Sequence, residues 1–375
     1  MRCNVVPAAS VHAVCVLLAL GACGGDDGPA PDLSVEADGA HPVGVAELTT
    51  VDASRQRMLL VQLWYPAAAG TAQGELPITD FADATHRAAF ADLVAAAPPT
   101  CTTRGVEAAW DPAGAAGAFP LVVFSHCHEC TRFSSMTIAR RLASHGFVVA
   151  TVDHTGNTLW DQLDMAGLPL DGTTLETRVL DLGVAISAAR DVMAPAAGLT
   201  LADVPPGLFG HSFGSVTTAL FAQRNEPQVS SVFGLAAPMQ NPLLPGVDIQ
   251  DLDLPLGFLV AREDNSISEL GNELIRGNFA RAVAPAWKIE VDDAGHWSVS
   301  DLVGVVPGFA PGCGDGTRQT DGQPFTYLPA DTGRDIAAAY VTAFFKATLL
   351  EDAGARVYLA SGRPSGTVSA EHNGL

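Results

Sequence analysis

Short apolar runs bounded by turn residues recur along the chain and predict buried strands. In most of them nearly every position is apolar, which is typical of parallel strands covered on both faces. A turn at residues 52–55 lies between the first two runs, a pattern that predicts an antiparallel hairpin. The predicted strands cover residues 43–51, 58–65, 119–124, 147–152, 208–210, 230–235, 256–261 and 287–291.

Longer segments with helical spacing of apolar residues lie between these strands. They cover residues 81–97, 134–146, 173–193, 215–223, 267–283 and 335–350. Strands that alternate with helices predict a mainly parallel sheet with helices on both faces. We therefore expect an α/β fold with about eight strands and an N-terminal antiparallel hairpin. Residues 153–172 are predicted to form a long irregular loop.

The chain divides into four regions by composition. Residues 1–22 have one early arginine and a short apolar stretch, which predicts a signal peptide. Residues 23–40 are rich in Gly, Asp, Pro and Ala and predict a flexible tether. Residues 41–350, which contain the predicted strands and helices, form the predicted folded domain, and the polar, Gly-rich end of residues 351–375 predicts a C-terminal tail.

The signal peptide ends in Leu-Gly-Ala-Cys at residues 20–23, which resembles the bacterial lipobox. The resemblance implies that Cys23 is lipidated and becomes the mature N-terminus, and Gly24 after it is similar to lipoproteins sent to the outer membrane. An ordinary signal peptide cut near the same point is the alternative. In either case we expect an exported protein. With the lipobox, the N-terminal lipid alone would attach it to the membrane.

The net charge of −21 limits the partners of this domain. An acidic protein is repelled by phosphate backbones and by anionic membrane surfaces, so the charge argues against nucleic acid as a partner. The sequence leaves the oligomeric state open.

Gly-His-Ser-Phe-Gly at residues 210–214 follows a predicted strand and precedes a predicted helix. This arrangement predicts a nucleophile elbow, in which Ser212 sits on a tight turn at the end of the strand. The helix N-terminus behind the serine favours developing negative charge. Ser212 could instead be an ordinary helix N-cap, so the motif needs a base and an acid elsewhere in the chain.

Candidate partners for Ser212 follow the next strands in the order Ser, Asp, His. Asp264 comes directly after the strand 256–261, and His296 comes after the strand 287–291. Both lie at the carboxyl edge of the predicted sheet, where α/β proteins bind their ligands. We expect a catalytic triad of Ser212, Asp264 and His296, with Glu263 as the alternative acid. Taken singly, Asp264 could cap the next helix and His296 could be a surface residue.

An oxyanion hole requires two backbone N–H groups. One is expected from Phe213, after the nucleophile, and the other from the loop that follows the strand 119–124. Phe-Ser-His at 124–126, the elbow at 210–214 and Gly-His-Trp-Ser at 295–298 resemble platelet-activating-factor acetylhydrolase-like and dienelactone-hydrolase-like α/β-hydrolases. So do the N-terminal hairpin and the segment 152–158. The match implies that the second donor is the N–H of His128.

The resemblance also implies the reaction. Enzymes of this kind are serine esterases that need no metal or organic cofactor, and their substrates are small-molecule or lipid esters. Short-chain acyl esters, acetyl groups of phospholipids and polyesters all remain open. The chain departs from the family in having Cys127 where glycine is usual. Its acid, Asp264, has the placement seen in cutinase-like polyester hydrolases.

Four cysteines remain in the predicted domain: Cys101, Cys127, Cys130 and Cys313. Export to an oxidising compartment favours disulfides, and the sequence does not choose among the three pairings. An alternative is a zinc site, since zinc-binding residue types lie together at Cys127-His128-Glu129-Cys130. Such a site would make the protein a metal-dependent enzyme. A third possibility is a non-catalytic binding lipoprotein on a hydrolase scaffold.

Further side chains are expected around the elbow. His126 and His211 are predicted to pack and hydrogen-bond beside it. In the loop 154–172, Trp160, Leu163, Met165 and Leu168 are candidates for an apolar wall of the acyl pocket, with plain surface packing as the alternative.

Overall fold

A computed structural model describes residues 28–283, 285–361 and 366–374. An eleven-stranded sheet runs through it, with neighbours in the order β15-β12-β11-β10-β9-β6-β7-β2-β1-β4-β3. The six central strands from β12 to β7 are mutually parallel. The strands are β1 (Val43–Asp52), β2 (Arg57–Pro66), β3 (Gly74–Pro77), β4 (Gly105–Trp110), β6 (Leu121–Ser125), β7 (Val148–Val152), β9 (Gly207–His211), β10 (Ser231–Leu235), β11 (Leu256–Ala261), β12 (Ala286–Val291) and β15 (Val368–Asn373).

Helices cover both faces of the sheet. They are α1 (Arg87–Ala96), α2 (Met136–Ser144), α3 (Leu159–Leu163), α4 (Gly172–Ala188), α5 (Ala194–Ala196), α6 (Phe213–Asn225), α7 (Ser268–Arg281), α8 (Ala330–Leu349) and α9 (Ala353–Ala360). A π-helical turn, Ala189–Met193, joins α4 to α5. Two small pairs lie outside the main sheet: β5 (Ala118–Phe119) with β8 (Thr200–Leu201), and β13 (Asp315–Thr317) with β14 (Pro324–Thr326).

Two hydrophobic cores result, one on each face of the sheet. The core that includes α2 and α8 is rich in aromatic side chains, and the core that includes α4, α6 and α7 is mainly aliphatic. The central strands β6, β7, β9, β10, β11 and β12 are buried along their whole length. This double coverage explains why their sequences are continuously apolar instead of alternating.

The predicted α/β fold is confirmed, with more strands at the sheet edges than expected. All eight predicted strands are present, and β3, β4 and β15 extend the sheet. The predicted loop 153–172 contains the short helix α3, which begins at a capping box between Thr158 and Asp161. Thr followed three residues later by Asp was the local signal for this helix.

Both ends of the domain differ from the sequence prediction. The region predicted as a tail forms α9 and then β15, which pairs antiparallel with β12 along Ala286–Val291. Part of the predicted tether is also held on the domain, because Val35 is fully buried and Lys346 bonds Asp32. The C-terminal segment is polar because β15 is an edge strand. Such a strand needs backbone partners on one side only, and in β15 only Val368 is buried.

The predicted signal peptide and Cys23 lie outside the described residues. No helix among the described residues is both long and apolar enough to cross a bilayer.

Candidate active site

Ser212 occupies the sharp turn between β9 and α6, at the carboxyl edge of the sheet centre. Its backbone has φ of +56°, a left-handed conformation that costs free energy for any residue with a Cβ. Its N–H donates to the carbonyl oxygen of Leu235 on β10 at 2.9 Å. The turn therefore has the strain and the strand-to-helix context of a nucleophile elbow.

Steric contacts explain both glycines of the motif. A Cβ at Gly210 would lie 2.2 Å from the carbonyl of Gly214, on the other side of the turn. A Cβ at Gly214 would lie 1.9 Å from the carbonyl oxygen of Ser125, at the end of β6. Only glycine at both positions lets the turn close and lets the loop after β6 contact the first turn of α6.

The predicted base and acid meet the serine in one chain of hydrogen bonds. His296 Nε2 lies 2.9 Å from Ser212 Oγ, and His296 Nδ1 lies 2.7 Å from Asp264 Oδ2. A carboxylate at Nδ1 holds the proton there, which leaves Nε2 as the acceptor for the serine hydroxyl. This is the geometry required for general-base activation of Ser212.

The structure distinguishes the two candidate acids. Asp264 is fully buried, and its second oxygen accepts from the N–H groups of Ser266 and Ile267 at 2.9 and 3.0 Å. It thus caps the turn before α7 and bonds His296 at the same time. Glu263 faces away and pairs with Arg318 at 2.9 Å, next to the β13–β14 hairpin.

His211 packs against His296, the predicted base, and hydrogen-bonds its backbone. Its Nε2–H donates to the backbone carbonyl of His296 at 3.0 Å, and the two rings lie 5.0 Å apart. Burial lowers the pKa of His211 well below its usual range, so the ring stays neutral. This packing agrees with the role expected for His211 from the sequence.

The four cysteines form two disulfides. Cys101 bonds Cys313, and Cys127 bonds Cys130 inside the loop after β6. The second bond spans His128 and Glu129, and both of its cysteines are buried. Thiols joined in a disulfide are not thiolate ligands, so this pairing does not fit a zinc site built on both cysteines.

The predicted oxyanion donors are the backbone N–H groups of Phe213 and His128. Phe213 is the first residue of α6, where an N–H has no partner within the helix. The carbonyl of Cys127 accepts from His126 Nδ1 at 2.6 Å. In a trans peptide the N–H points opposite to the C=O, so the N–H of His128 is directed away from this buried contact. The donor role of both groups remains a prediction.

A buried polar group behind this loop was missed in the sequence. Arg178 of α4 bonds the carbonyl of His126 and lies within 3.5 Å of the carbonyl of Cys127. Asp181, one turn later, bonds His154 Nδ1 at 3.1 Å. The available signal was a pair of charged residues spaced i, i+3 on the apolar face of α4, between Leu175 and Leu182.

The four residues predicted to form an apolar wall differ in burial. Trp160 is buried and contacts the rings of Phe90, Phe133 and His86, so it belongs to the core. Three other side chains are exposed at the end of α3 and on the loop after it: Leu163 (36%), Met165 (94%) and Leu168 (39%). The start of α3 lies beside the disulfide loop, since Leu159 N–H donates to the carbonyl of Cys130 at 2.8 Å.

Comparisons with known proteins agree with this fold. Residues 34–160 match the family model of platelet-activating factor acetylhydrolase, isoform II. Among solved structures, the chain resembles a ferulic acid esterase from Streptomyces cinnamoneus, with a TM-score of 0.67 and 22% identity over 91% of this chain and 98% of that one. A search of curated proteins finds no match.

The matches settle the coarser predictions. The structural likeness confirms the α/β-hydrolase fold. The family match over residues 34–160 agrees with the predicted enzyme class, a carboxylic ester hydrolase. The roles of individual residues, the substrate and the membrane anchor remain predictions.

The two disulfides are expected to have different effects when removed. Cys127→Ser/Cys130→Ser should lower kcat at least about tenfold, because the bond fixes the loop that carries a predicted oxyanion donor. Cys101→Ser/Cys313→Ser should mainly lower Tm. In the chain-entropy model the long loop contributes about 5 kcal/mol and the short loop about 2 kcal/mol. Thermal unfolding and nitrophenyl acetate hydrolysis measure both effects, and equal losses of kcat in the two variants would contradict the expectation.

Proposed function

We propose that the chain is a serine hydrolase that cleaves carboxylic esters through an acyl-enzyme. The observation that carries the proposal is the hydrogen-bonded chain from Ser212 through His296 to Asp264, at 2.9 and 2.7 Å. It lies on a strained elbow at the carboxyl edge of an α/β sheet, where this fold places its nucleophile.

In the proposed reaction, Ser212 Oγ attacks the ester carbonyl while His296 Nε2 accepts its proton. Asp264 keeps the proton of Nδ1 in place and stabilises the imidazolium. The negative charge on the carbonyl oxygen is held by the N–H groups of Phe213 and His128. His296 then protonates the leaving alkoxide, and the same base later activates the water that hydrolyses the acyl-serine.

The two rival functions have less support. A binding lipoprotein on an inactive scaffold has no need for an aligned base and a buried acid. A metal-dependent enzyme centred on residues 127–130 would require free thiolates, and Cys127 and Cys130 are joined to each other. The serine mechanism uses every group that the structure brings together at the elbow.

We further propose short-chain acyl esters as the substrate class. The family match points to acetyl esters, including those of phospholipids. The placement of Asp264 after β11 resembles that of cutinase-like polyester hydrolases and of most of the superfamily. Feruloyl esters are a further candidate because of the structural neighbour. The exposed Leu163, Met165 and Leu168 beside the disulfide loop offer apolar contacts to a leaving group or acyl chain.

Replacement of the proposed nucleophile tests the mechanism. Ser212→Ala should lower kcat on nitrophenyl acetate at least about 10⁴-fold, because no other hydroxyl in the described part of the chain hydrogen-bonds His296 Nε2. A fluorophosphonate probe should label Ser212 in the wild-type protein, as read by peptide mass spectrometry. Asp264→Asn should cost about 10³–10⁴-fold, whereas the neighbouring control Glu263→Gln should stay within about twofold. Labelling of a different residue, or full activity of Ser212→Ala, would refute the proposal.

A substrate panel tests the acyl preference. Nitrophenyl esters from acetate to decanoate, an acetylated phospholipid, methyl ferulate and a soluble polyester oligomer would be compared by kcat/KM. We expect the acetate and butyrate esters to exceed the decanoate at least about tenfold, since each misfitting methylene in a closed pocket costs about 1 kcal/mol. A maximum at decanoate or at ferulate would reject the short-acyl proposal and leave the triad untouched.

We propose that the mature protein is anchored in the outer membrane through lipidated Cys23. The Leu-Gly-Ala-Cys segment and the polar residues that follow it support this localisation. In a Gram-negative host, the N-terminal peptide should begin at Cys23 with added acyl mass, and the enzyme should sediment with membranes. Cys23→Ser should abolish both, whereas Cys15→Ser should not. A wild-type protein found free in the periplasm with an unmodified N-terminus would contradict the anchor.

A further inference from the structure

Arg178 is a fully buried cation that is surrounded by neutral oxygens. Within the described residues, no carboxylate lies within 4.0 Å of its guanidinium. Its nitrogens donate to two backbone carbonyls, to Asn157 and to the hydroxyls of Ser125 and Thr217. Burial lowers its pKa to about 9, which still leaves the group charged at neutral pH. Burying a charge without a direct counter-ion is costly, so this arrangement calls for a functional explanation.

The backbone contacts of Arg178 fall on the peptide units of the disulfide loop. Nη2 donates to the carbonyl of His126, and Nη1 lies 3.5 Å from the carbonyl of Cys127. The second carbonyl belongs to the same peptide group as the N–H of His128. This carbonyl accepts a short hydrogen bond from His126 Nδ1 at 2.6 Å, and the guanidinium adds a positive charge at the same end of the peptide. Donors at the carbonyl end orient the peptide and polarise its N–H, which makes the N–H a stronger donor on the opposite side.

Arg178 also reaches the side chain of His128 through Asn157. Nη1 donates to Asn157 Oδ1 at 2.5 Å, and Asn157 Nδ2 donates to His128 Nδ1 at 2.6 Å. The guanidinium orients the amide, because its oxygen must face the cation and its NH₂ group must then face the ring. The ring of His128 is thereby held with Nδ1 at Asn157 and with Nε2 3.6 Å from Glu129 Oε1.

Phe213, which carries the other predicted donor, is in contact with the same guanidinium. The central carbon of the Arg178 guanidinium lies 4.5 Å from the ring centre of Phe213, the first residue of α6. A cation over an aromatic face is attractive, and more so when water is excluded. One side chain therefore touches both chain segments that are predicted to form the oxyanion hole.

A second hydrogen-bonded chain holds Arg178 in place. Nη2 donates to Ser125 Oγ at 3.1 Å, Ser125 Oγ–H donates to His154 Nε2 at 3.0 Å, and His154 Nδ1–H donates to Asp181 at 3.1 Å. Burial lowers the pKa of His154 to about 3, which agrees with the neutral ring that this direction of donation requires. Arg57 in turn pairs with Asp181 at 2.8 Å.

We propose that Arg178 is a positioning residue for the oxyanion hole. It aligns the peptide that bears the His128 N–H, and it places a fixed positive charge behind the site where the carbonyl oxygen becomes negative. The inference rests on the proposed serine esterase function. Part of the stabilisation of the transition state then comes from Arg178, a buried side chain that does not touch the substrate.

Substitution of Arg178 tests this role. Arg178→Gln should lower kcat about 10²-fold with KM within about twofold, since the groups lost act on the transition state and not on the bound ester. Arg178→Lys keeps the charge but not the geometry, so an intermediate loss of about tenfold is expected. Arg190→Gln, an exposed arginine in the turn after α4, is the matched control and should leave kcat unchanged.

A transition-state mimic separates positioning from general destabilisation. An alkyl trifluoromethyl ketone adds to the serine and forms an oxyanion, so its Ki should weaken in Arg178→Gln by the same factor as kcat/KM. Folded variants with unchanged kcat, or with a lowered kcat and an unchanged Ki, would overturn the proposal. Should Arg178→Gln fail to fold, Arg178→Lys serves for the same comparison. Failure of the wild-type enzyme to bind the ketone at Ser212 would instead refute the serine esterase function itself.

Discussion

The close approach of two backbones at Gly214 is the constraint on which the site depends. The carbonyl of Ser125, at the end of β6, occupies the space where a side chain of residue 214 would stand. This contact sets the disulfide loop directly against the elbow that carries Ser212. The base, the acid and the oxyanion donors can then converge within a few ångströms, because β6, β9, β11 and β12 all end at one edge of the sheet.

Buried polar groups give this edge its rigidity. Asp264 satisfies two backbone N–H groups and His296 at once, and Arg178 binds the carbonyls of the loop on the other side of Ser212. Each group is held by partners that leave it little freedom to rotate. In a site of low dielectric such fixed dipoles need no reorganisation when charge develops, which is the main source of catalytic power in ester hydrolysis.

The disulfide loop shows how an unusual residue can be accommodated. Cys127 stands where the family resemblance leads one to expect glycine, and its conformation is fixed by the bond to Cys130 and by hydrogen bonds to its carbonyl. The positive φ falls on Glu129, two residues later. The disulfide and the buried Arg178 thus hold the loop in a conformation that glycine at residue 127 would adopt without strain.

Local patterns in the sequence determined the eight core strands, the elbow at Ser212 and the order in which Asp264 and His296 follow. Each of these is encoded within a few residues, by an apolar run or by a motif at a strand end. The sequence left open the choice between Asp264 and Glu263 and the pairing of the cysteines, and it gave the wrong expectation for residues 351–375. Tertiary structure decided these points, and it brought Arg178 against the loop after β6. They depend on contacts between residues far apart in the chain, such as Cys101 with Cys313 and Arg178 with the loop after β6, and local periodicity carries no information about which distant segments meet.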